Sequence, residues 1–309
     1  MTPRPTIIDC DPGTDDAIAL WLALGSPELD VLLVTVVGGN VGLAHTLRNA
    51  RAIVGLSGRA VPVLAGADRP LMGHFRDAVH VHGDNGLGGV VLPDGPPPAP
   101  GLAADAIRDR LRAAPPRSVT LIGLGPATNL GLVFATEPQL AGRVAGIVLM
   151  TGAVGEGNVT PSAEFNAWND PEALAIVLAA DAPVTLATLD VTSQALCLPA
   201  HVAALRRAGA GACAAAAAAI WDAVPRSRRS AGRGHEQHDA CAVAWAVAPE
   251  LFSHASVSAE VDRGPGLCRG RTVIDRRRRG GGAATARLLE TVDAGRFFAL
   301  LTERIAALP

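Results

Sequence analysis

Four aspartates in eight residues, Asp9-Cys10-Asp11-Pro12-Gly13-Thr14-Asp15-Asp16, follow an aliphatic run and lead directly into Ala17-Ile18-Ala19-Leu20. Any fold of this chain must bring a strand end, a tight turn and a helix start together around that crowded negative charge. One or two acidic residues at a helix start need no more than capping and the helix dipole. Four exceed this, because like charges packed at a strand end raise one another's pKa unless a cation neutralises them. Carboxylates without imidazole or thiolate in the same loop suit a hard divalent ion, calcium or magnesium rather than zinc, and calcium accepts the irregular geometry of a turn.

Around this turn the chain alternates. Short β-branched or aliphatic runs at 6–9, 31–37, 61–64, 118–122, 146–150 and 184–188 are separated by segments of helical period at 15–25, 43–56, 102–113, 126–135 and 171–179. The alternation predicts βαβ units and an α/β fold with an open, mainly parallel, doubly wound (Rossmann-like) sheet. The runs Val31 to Val34 and Val144 to Met150 are apolar on both faces, as strands covered by helices on either side require. Ligands then bind beyond the carboxyl ends of the strands. After Asp190 the pattern predicts a helical C-terminal part, with helices at 199–208, 210–223, 238–247 and 294–307 and a few extra short strands near 256–275. No linker or repeat divides residues 1–309, which read as one domain; Pro93 to Pro100 and Arg276 to Gly282 read as surface loops.

With 49% hydrophobic residues in 309, the chain can bury a substantial core. A formal net charge of −2 gives no electrostatic basis for binding nucleic acid or an anionic membrane, and points to a small-molecule partner. The five cysteines are dispersed, without a Cys-x-x-Cys pair, and read as reduced, mostly buried thiols. No basic leader with a long apolar run opens the chain, and the apolar helical stretch Ala212 to Ile220 is too short to span a bilayer, so a cytoplasmic protein is expected.

The pattern Asp9-x-Asp11-Pro12-Gly13-x-Asp15-Asp16 followed by Ala17-Ile18-Ala19 closely resembles the signature of the inosine-uridine-preferring nucleoside hydrolase family. Further segments similar to the family follow in order: Val36-Val37-Gly38-Gly39-Asn40, Leu121 to Leu130, Val148 to Gly152, Gly155 to Asn158, Ala163-Glu164-Phe165-Asn166, and Glu236-Gln237-His238-Asp239 before an apolar helix. The resemblance spans essentially the whole chain and is weakest from Ala208 to Gly234. It implies calcium-dependent hydrolysis of the N-glycosidic bond of ribonucleosides. By the same resemblance Asp11, Asp16, Asp239 and the backbone carbonyl of Leu124 hold Ca2+, and Asp11 also takes the proton of the attacking water. The family often has threonine at the position of Leu124, but a carbonyl ligand makes little demand on the side chain. His238 is implied as the acid for the leaving base, and Asp15, Asn40, Met150, Asn158, Glu164, Asn166 and Asp239 as substrate-binding residues. A homodimer or homotetramer is implied as well. Read alone, Asn40 is equally a turn residue, His238-Asp239 a helix cap, and Asp170-Pro171-Glu172 a helix start.

The family often places tyrosines before the histidine, and this chain has no tyrosine. In their place stand Trp221, the arginine-rich Pro225 to Ser230, and Gly232-Arg233-Gly234-His235, either a solvated surface or a loop that closes over the base. His80, His82 and Asp84 either lie near the base or belong to an ordinary loop, and the run Arg276 to Arg279 reads as a hairpin tip. Two alternatives stay open. A haloacid-dehalogenase-type phosphohydrolase also starts from a strand ending in Asp-x-Asp, with Asp9 as nucleophile. It usually needs a phosphate-binding lysine, however, and the chain contains no lysine. A nucleoside- or calcium-binding homologue without turnover would bind ligand and release no product.

Overall fold

The computed structural model describes residues 2–224, 232–277 and 284–309. The apolar runs form β1 (Arg4–Cys10), β2 (Leu29–Val36), β3 (Val63–Ala65), β4 (Val119–Gly123), β5 (Val144–Met150) and β6 (Val184–Ala187). β7 (Leu196–Cys197) and β8 (His235–Glu236) pair as a small separate ladder, and β9 (Phe252–Val261), β10 (Thr272–Asp275) and β11 (Ala286–Val292) extend the main sheet. Its spatial order is β10-β9-β11-β6-β5-β4-β1-β2-β3. β11 runs parallel to β6, whereas β9 and β10 close that edge as antiparallel neighbours.

Among β1 to β6 the order is 3-2-1-4-5-6, so the winding direction reverses between β1 and β4 and leaves a crevice above their carboxyl ends. Asp9 lies opposite Gly123 in the β1–β4 ladder, and the Leu124 N–H donates to the Asp9 carbonyl at 2.8 Å. The acidic turn and the end of β4 are therefore neighbours by register alone.

The helices are α1 (Thr14–Gly25), α2 (Leu43–Leu56), α3 (Val79–His82), α4 (Ala103–Ala113), α5 (Thr128–Thr136), α6 (Phe165–Asn169), α7 (Pro171–Leu178), α8 (Leu189–Thr192), α9 (Pro199–Ala208), α10 (Ala212–Ala223), α11 (His238–Val247) and α12 (Ala294–Ala306). Alternate strand residues feed two cores. Ile8, Val34, Ile122 and Val148 pack with α1, α2 and α9 to α12, while Ile7, Leu33, Leu121 and Ile147 pack with α4, α5 and α7. α1 lies inside the first core, and its residues from Asp16 to Ala23 are buried on every side, which explains why Ala17 to Leu24 carries no polar stripe. Trp21 is fully enclosed there, its indole N–H donating to the Ile53 carbonyl at 3.1 Å.

The doubly wound sheet matches the sequence expectation; the C-terminal strands differ from it. The expected short strands near 256–275 are a ten-residue β9 and a four-residue β10, and β11 was not anticipated. β9 and β11 carry His254, Glu260, Arg287 and Glu290 among their apolar residues, so neither shows the continuous apolar run of an inner parallel strand. Four cysteines are buried and Cys268 is exposed. Among the described residues no helix is long and apolar enough to cross a membrane. The Pro225 to Ser230 segment and the end of the Arg276 to Arg279 run lie outside the described residues.

Removing the Trp21 side chain from the enclosed α1 leaves a cavity that its neighbours cannot fill. Trp21→Ala is expected to lower unfolding stability by about 3–5 kcal/mol, measured by denaturant titration; a loss below about 1 kcal/mol would contradict the packing of α1.

Candidate active site

The acidic turn is held by its own backbone and by glycines from two other strand ends. Asp16 accepts from the N–H groups of Asp11 at 3.3 Å and Gly13 at 2.9 Å, so it caps the helix it begins. Asn40, after β2, donates its backbone N–H to Asp11 Oδ2 at 2.7 Å and its amide Nδ2 to the Asp11 carbonyl and to Asp16 Oδ2, both at 3.1 Å. A Cβ at Gly39 would lie 2.1 Å from Asp11 Oδ2, and one at Gly125 2.6 Å from Oδ1. The Asp11 carboxylate is therefore clamped between the turns after β2 and β4, and only glycine allows that approach.

Asp9 stands apart from this group. It is buried and accepts from Thr35 Oγ1 at 2.5 Å and Asn129 Nδ2 at 2.8 Å, and burial pushes its carboxyl up to about 7. It lies outside the cleft lining, where it ties β1 to β2 and α5.

Asp15 and Asp16, in the first turn of α1, and Asp239, in the first turn of α11, each place one carboxylate oxygen so that the three lie within 4.8 Å of one another. Burial, then the neighbouring carboxylates, drives Asp239 far above the ordinary range; burial, then Asp16, does the same for Asp11. Asp16 is pushed up to about 7 by burial, then Asp15. Among the described residues no arginine or histidine forms an ion pair with Asp11, Asp16 or Asp239. Buried carboxylates lacking a counter-charge are unfavourable, and an all-oxygen set of this kind fits a hard divalent cation. The tight group contains Asp15 in place of Asp11, whose oxygens lie in the clamp beneath.

Above the carboxylates opens a cleft of about 760 Å³. Asp15, Asn40, Leu124, Met150, Asn158, Glu164, Asn166, His238 and Asp239 line it, whereas Asp11 and Asp16 lie buried outside its lining. Asn166 Nδ2 bridges the carbonyls of Leu124 at 2.6 Å and Met150 at 3.0 Å, joining the ends of β4 and β5. Glu164 caps α6: its oxygens accept from the N–H groups of Gly152, Asn166 and Ala167 at 2.8–3.0 Å and from Thr151 Oγ1 at 3.3 Å. Asn158 Oδ1 accepts from the Phe165 N–H at 2.9 Å. Asp170 caps α7, as a plain helix start, and Glu172 pairs with Arg269 on the surface.

Four histidines, His80, His82, His235 and His238, also line the cleft; Asp84 does not. His82 Nδ1 accepts from the Thr14 N–H at 3.1 Å, and burial lowers its pKa, so the ring is neutral with its proton on Nε2. His238 Nδ1 lies 2.7 Å from Thr192 Oγ1, which fixes the ring. Trp221 faces the core, its indole N–H donating to Gln237 Oε1 at 2.9 Å. Sequence reasoning missed Thr192, Thr14 and Gln237, whose roles rest on contacts across 46, 68 and 16 positions that no local pattern encodes.

The family model described as "Inosine-uridine preferring nucleoside hydrolase" matches residues 6–299. A protein of Klebsiella pneumoniae named pyrimidine-specific ribonucleoside hydrolase RihA is 39% identical over 307 residues, covering 98% of each chain. The protein of the same name from Shewanella woodyi is 39% identical over 308 residues, again covering 98% of each. Among solved structures, a purine-preferring ribonucleoside hydrolase from Gardnerella vaginalis superposes with a TM-score of 0.91 at 32% identity over 98% of both chains. The plant nucleoside hydrolase PpNRh1 does so with a TM-score of 0.91 at 31% identity, over 98% of this chain and 99% of that one.

A carboxyl with a raised pKa in the folded state keeps a proton that the unfolded chain has released. Its contribution to stability is present below the ordinary carboxylate range and is lost as pH rises through about 7 for Asp9 and Asp16. With a chelator present, the melting temperature is therefore expected to fall between about pH 5 and pH 7.5, and the rise produced by calcium to be larger at the higher pH, where the carboxylates are ionised. Equal calcium increments at both pH values would contradict a site built on these acids; thermal denaturation with and without chelator decides it.

Proposed function

The chain belongs to the inosine-uridine preferring nucleoside hydrolase family, and from that premise we propose that it hydrolyses the N-glycosidic bond of ribonucleosides in a calcium-dependent reaction. The observation that carries this reading is the group of Asp15, Asp16 and Asp239 carboxylates beside a cleft that His238, held by Thr192, also lines. A divalent cation held by Asp11, Asp16, Asp239 and the Leu124 carbonyl would, when bound, neutralise the buried acids and acidify and orient the attacking water.

In this reading the ribose lies over the acidic floor, its hydroxyls met by Asp15, Asn40, Asn158, Glu164, Asn166 and Asp239 beside Met150. Asp11 takes a proton from the water as its oxygen bonds to the anomeric carbon. The bond from that carbon to the base nitrogen breaks, its electron pair leaves with the base, and His238 supplies the proton that neutralises it. Carboxylates facing the sugar favour the positive charge that builds on the ring, the logic of glycoside hydrolysis in general. Thr192 on Nδ1 reserves the other ring nitrogen of His238 for the leaving base. The names of the relatives divide between pyrimidine-specific and purine-preferring, so the range of bases is a matter for the substrate panel.

Release of free base and reducing sugar from inosine, uridine, cytidine, adenosine and guanosine, with and without chelator, tests this function. Calcium-dependent release is expected, with Asp11→Ala and His238→Ala each lowering it about 10²–10⁴-fold, the histidine variant by an amount that depends on the base. Calcium binding without any product would sink the hydrolase reading. Thr192→Val is expected to lower kcat about tenfold with little change in KM, and Thr192→Ser to retain activity; equal loss in both variants would show that the hydroxyl does not orient His238.

A further inference from the structure

We propose that His235 reads the nucleobase, its imidazole taking the polar edge of the base that departs; the proposal rests on the hydrolase reading. His235 sits in the two-residue strand β8, opposite Cys197 of β7. The preceding Gly234 presses against that strand, since a Cβ there would lie 2.1 Å from the Cys197 carbonyl oxygen. The backbone under His235 is therefore fixed, and the residue faces the cleft three positions before His238, on the same wall as Val224 and Gln237.

What sets His235 apart is an unspent ring nitrogen. The residue is 93% buried, and its Nε2 is sealed from solvent with no hydrogen-bond partner. The other buried side-chain atoms in that condition among the described residues belong to Glu28, Ser193 and Arg304, none of which lines the cleft. Other histidines of the interior have a nitrogen engaged: His82 with Thr14, His238 with Thr192, and His201 with the Leu198 N–H. If His235 served packing alone, an apolar ring would fill its place without burying an unsatisfied polar atom.

His235 lines the cleft, and a base bound there would supply the partner that the protein does not. Burial lowers the pKa of His235, which keeps the ring neutral, with one nitrogen a donor and the other an acceptor. Rotating the ring exchanges them, so it can meet either a carbonyl oxygen or a ring N–H of a base. No such group exists on the ribose side of the scissile bond. The expected signature is thus a change in preference between leaving groups.

The test compares His235→Phe with wild type on uridine, inosine and p-nitrophenyl β-D-ribofuranoside, whose leaving group has no carbonyl or N–H edge. The ratio of kcat/KM for each nucleoside over that for the p-nitrophenyl riboside is expected to fall about tenfold, the value of one hydrogen bond. Parallel losses on all three substrates, or an unaltered ratio, would overturn the proposal while leaving the hydrolase reading intact. If His235→Phe shows no native melting transition, His235→Leu, which also removes both ring nitrogens, is read by the same ratio, and an unaltered ratio there overturns the proposal equally. A wild-type protein that cleaves none of these and no other nucleoside of the panel overturns the hydrolase reading and this proposal with it.

Discussion

The structure depends on burying several carboxylates where the winding of the sheet reverses. Asp11, Asp16 and Asp239 are each almost wholly enclosed, and no arginine among the described residues reaches them. Two features make this tolerable before any cation binds. α1 and α11 both begin at the acids, so two helix N-termini bring their positive dipole ends to one spot. Asn40 and Gly13 then satisfy particular carboxylate oxygens. The remaining repulsion appears as the upward displacement of the Asp11, Asp16 and Asp239 carboxyls, and that is the property a divalent ion would exploit.

The geometry around these acids propagates outward. Asp11 can lie between the turns after β2 and β4 only because residues 39 and 125 are glycines, and α1 can start there only because the rest of it is apolar enough to be surrounded. Asp9 adds a further layer: with Thr35 and Asn129 it ties β1 to β2 and to α5 below the floor. Four aspartates adjacent in sequence therefore divide their work, one holding the sheet, one clamped, and two facing Asp239.

That division shows what a sequence can and cannot reveal. The inner parallel strands announce themselves as continuous apolar runs, and the acid-rich turn reveals its chemistry because four like charges need a reason. β11 does not, since Ala286 to Val292 mixes Arg287, Glu290 and Thr291 with its apolar residues and takes its place between β6 and β9 through pairing that no local pattern encodes. Glu164 was legible as a residue of the cleft but not as the cap of α6, because its partners include Thr151 and Gly152, which come near only after β5 has turned. Thr192 is an ordinary threonine until the fold sets it against His238.

The two ends of the cleft are built by different means. At the acidic end the constraints are backbone contacts and glycines, where adding one methyl group would collide with a carboxylate. At the histidine end the positions are set by side-chain hydrogen bonds, Thr14 to His82, Thr192 to His238 and Trp221 to Gln237. A backbone-built site tolerates almost no substitution, whereas a wall of side chains can be changed one residue at a time at the cost of about one hydrogen bond. On the proposed reading, activation of the water falls to the rigid end, while the departure and the choice of base fall to the adaptable one.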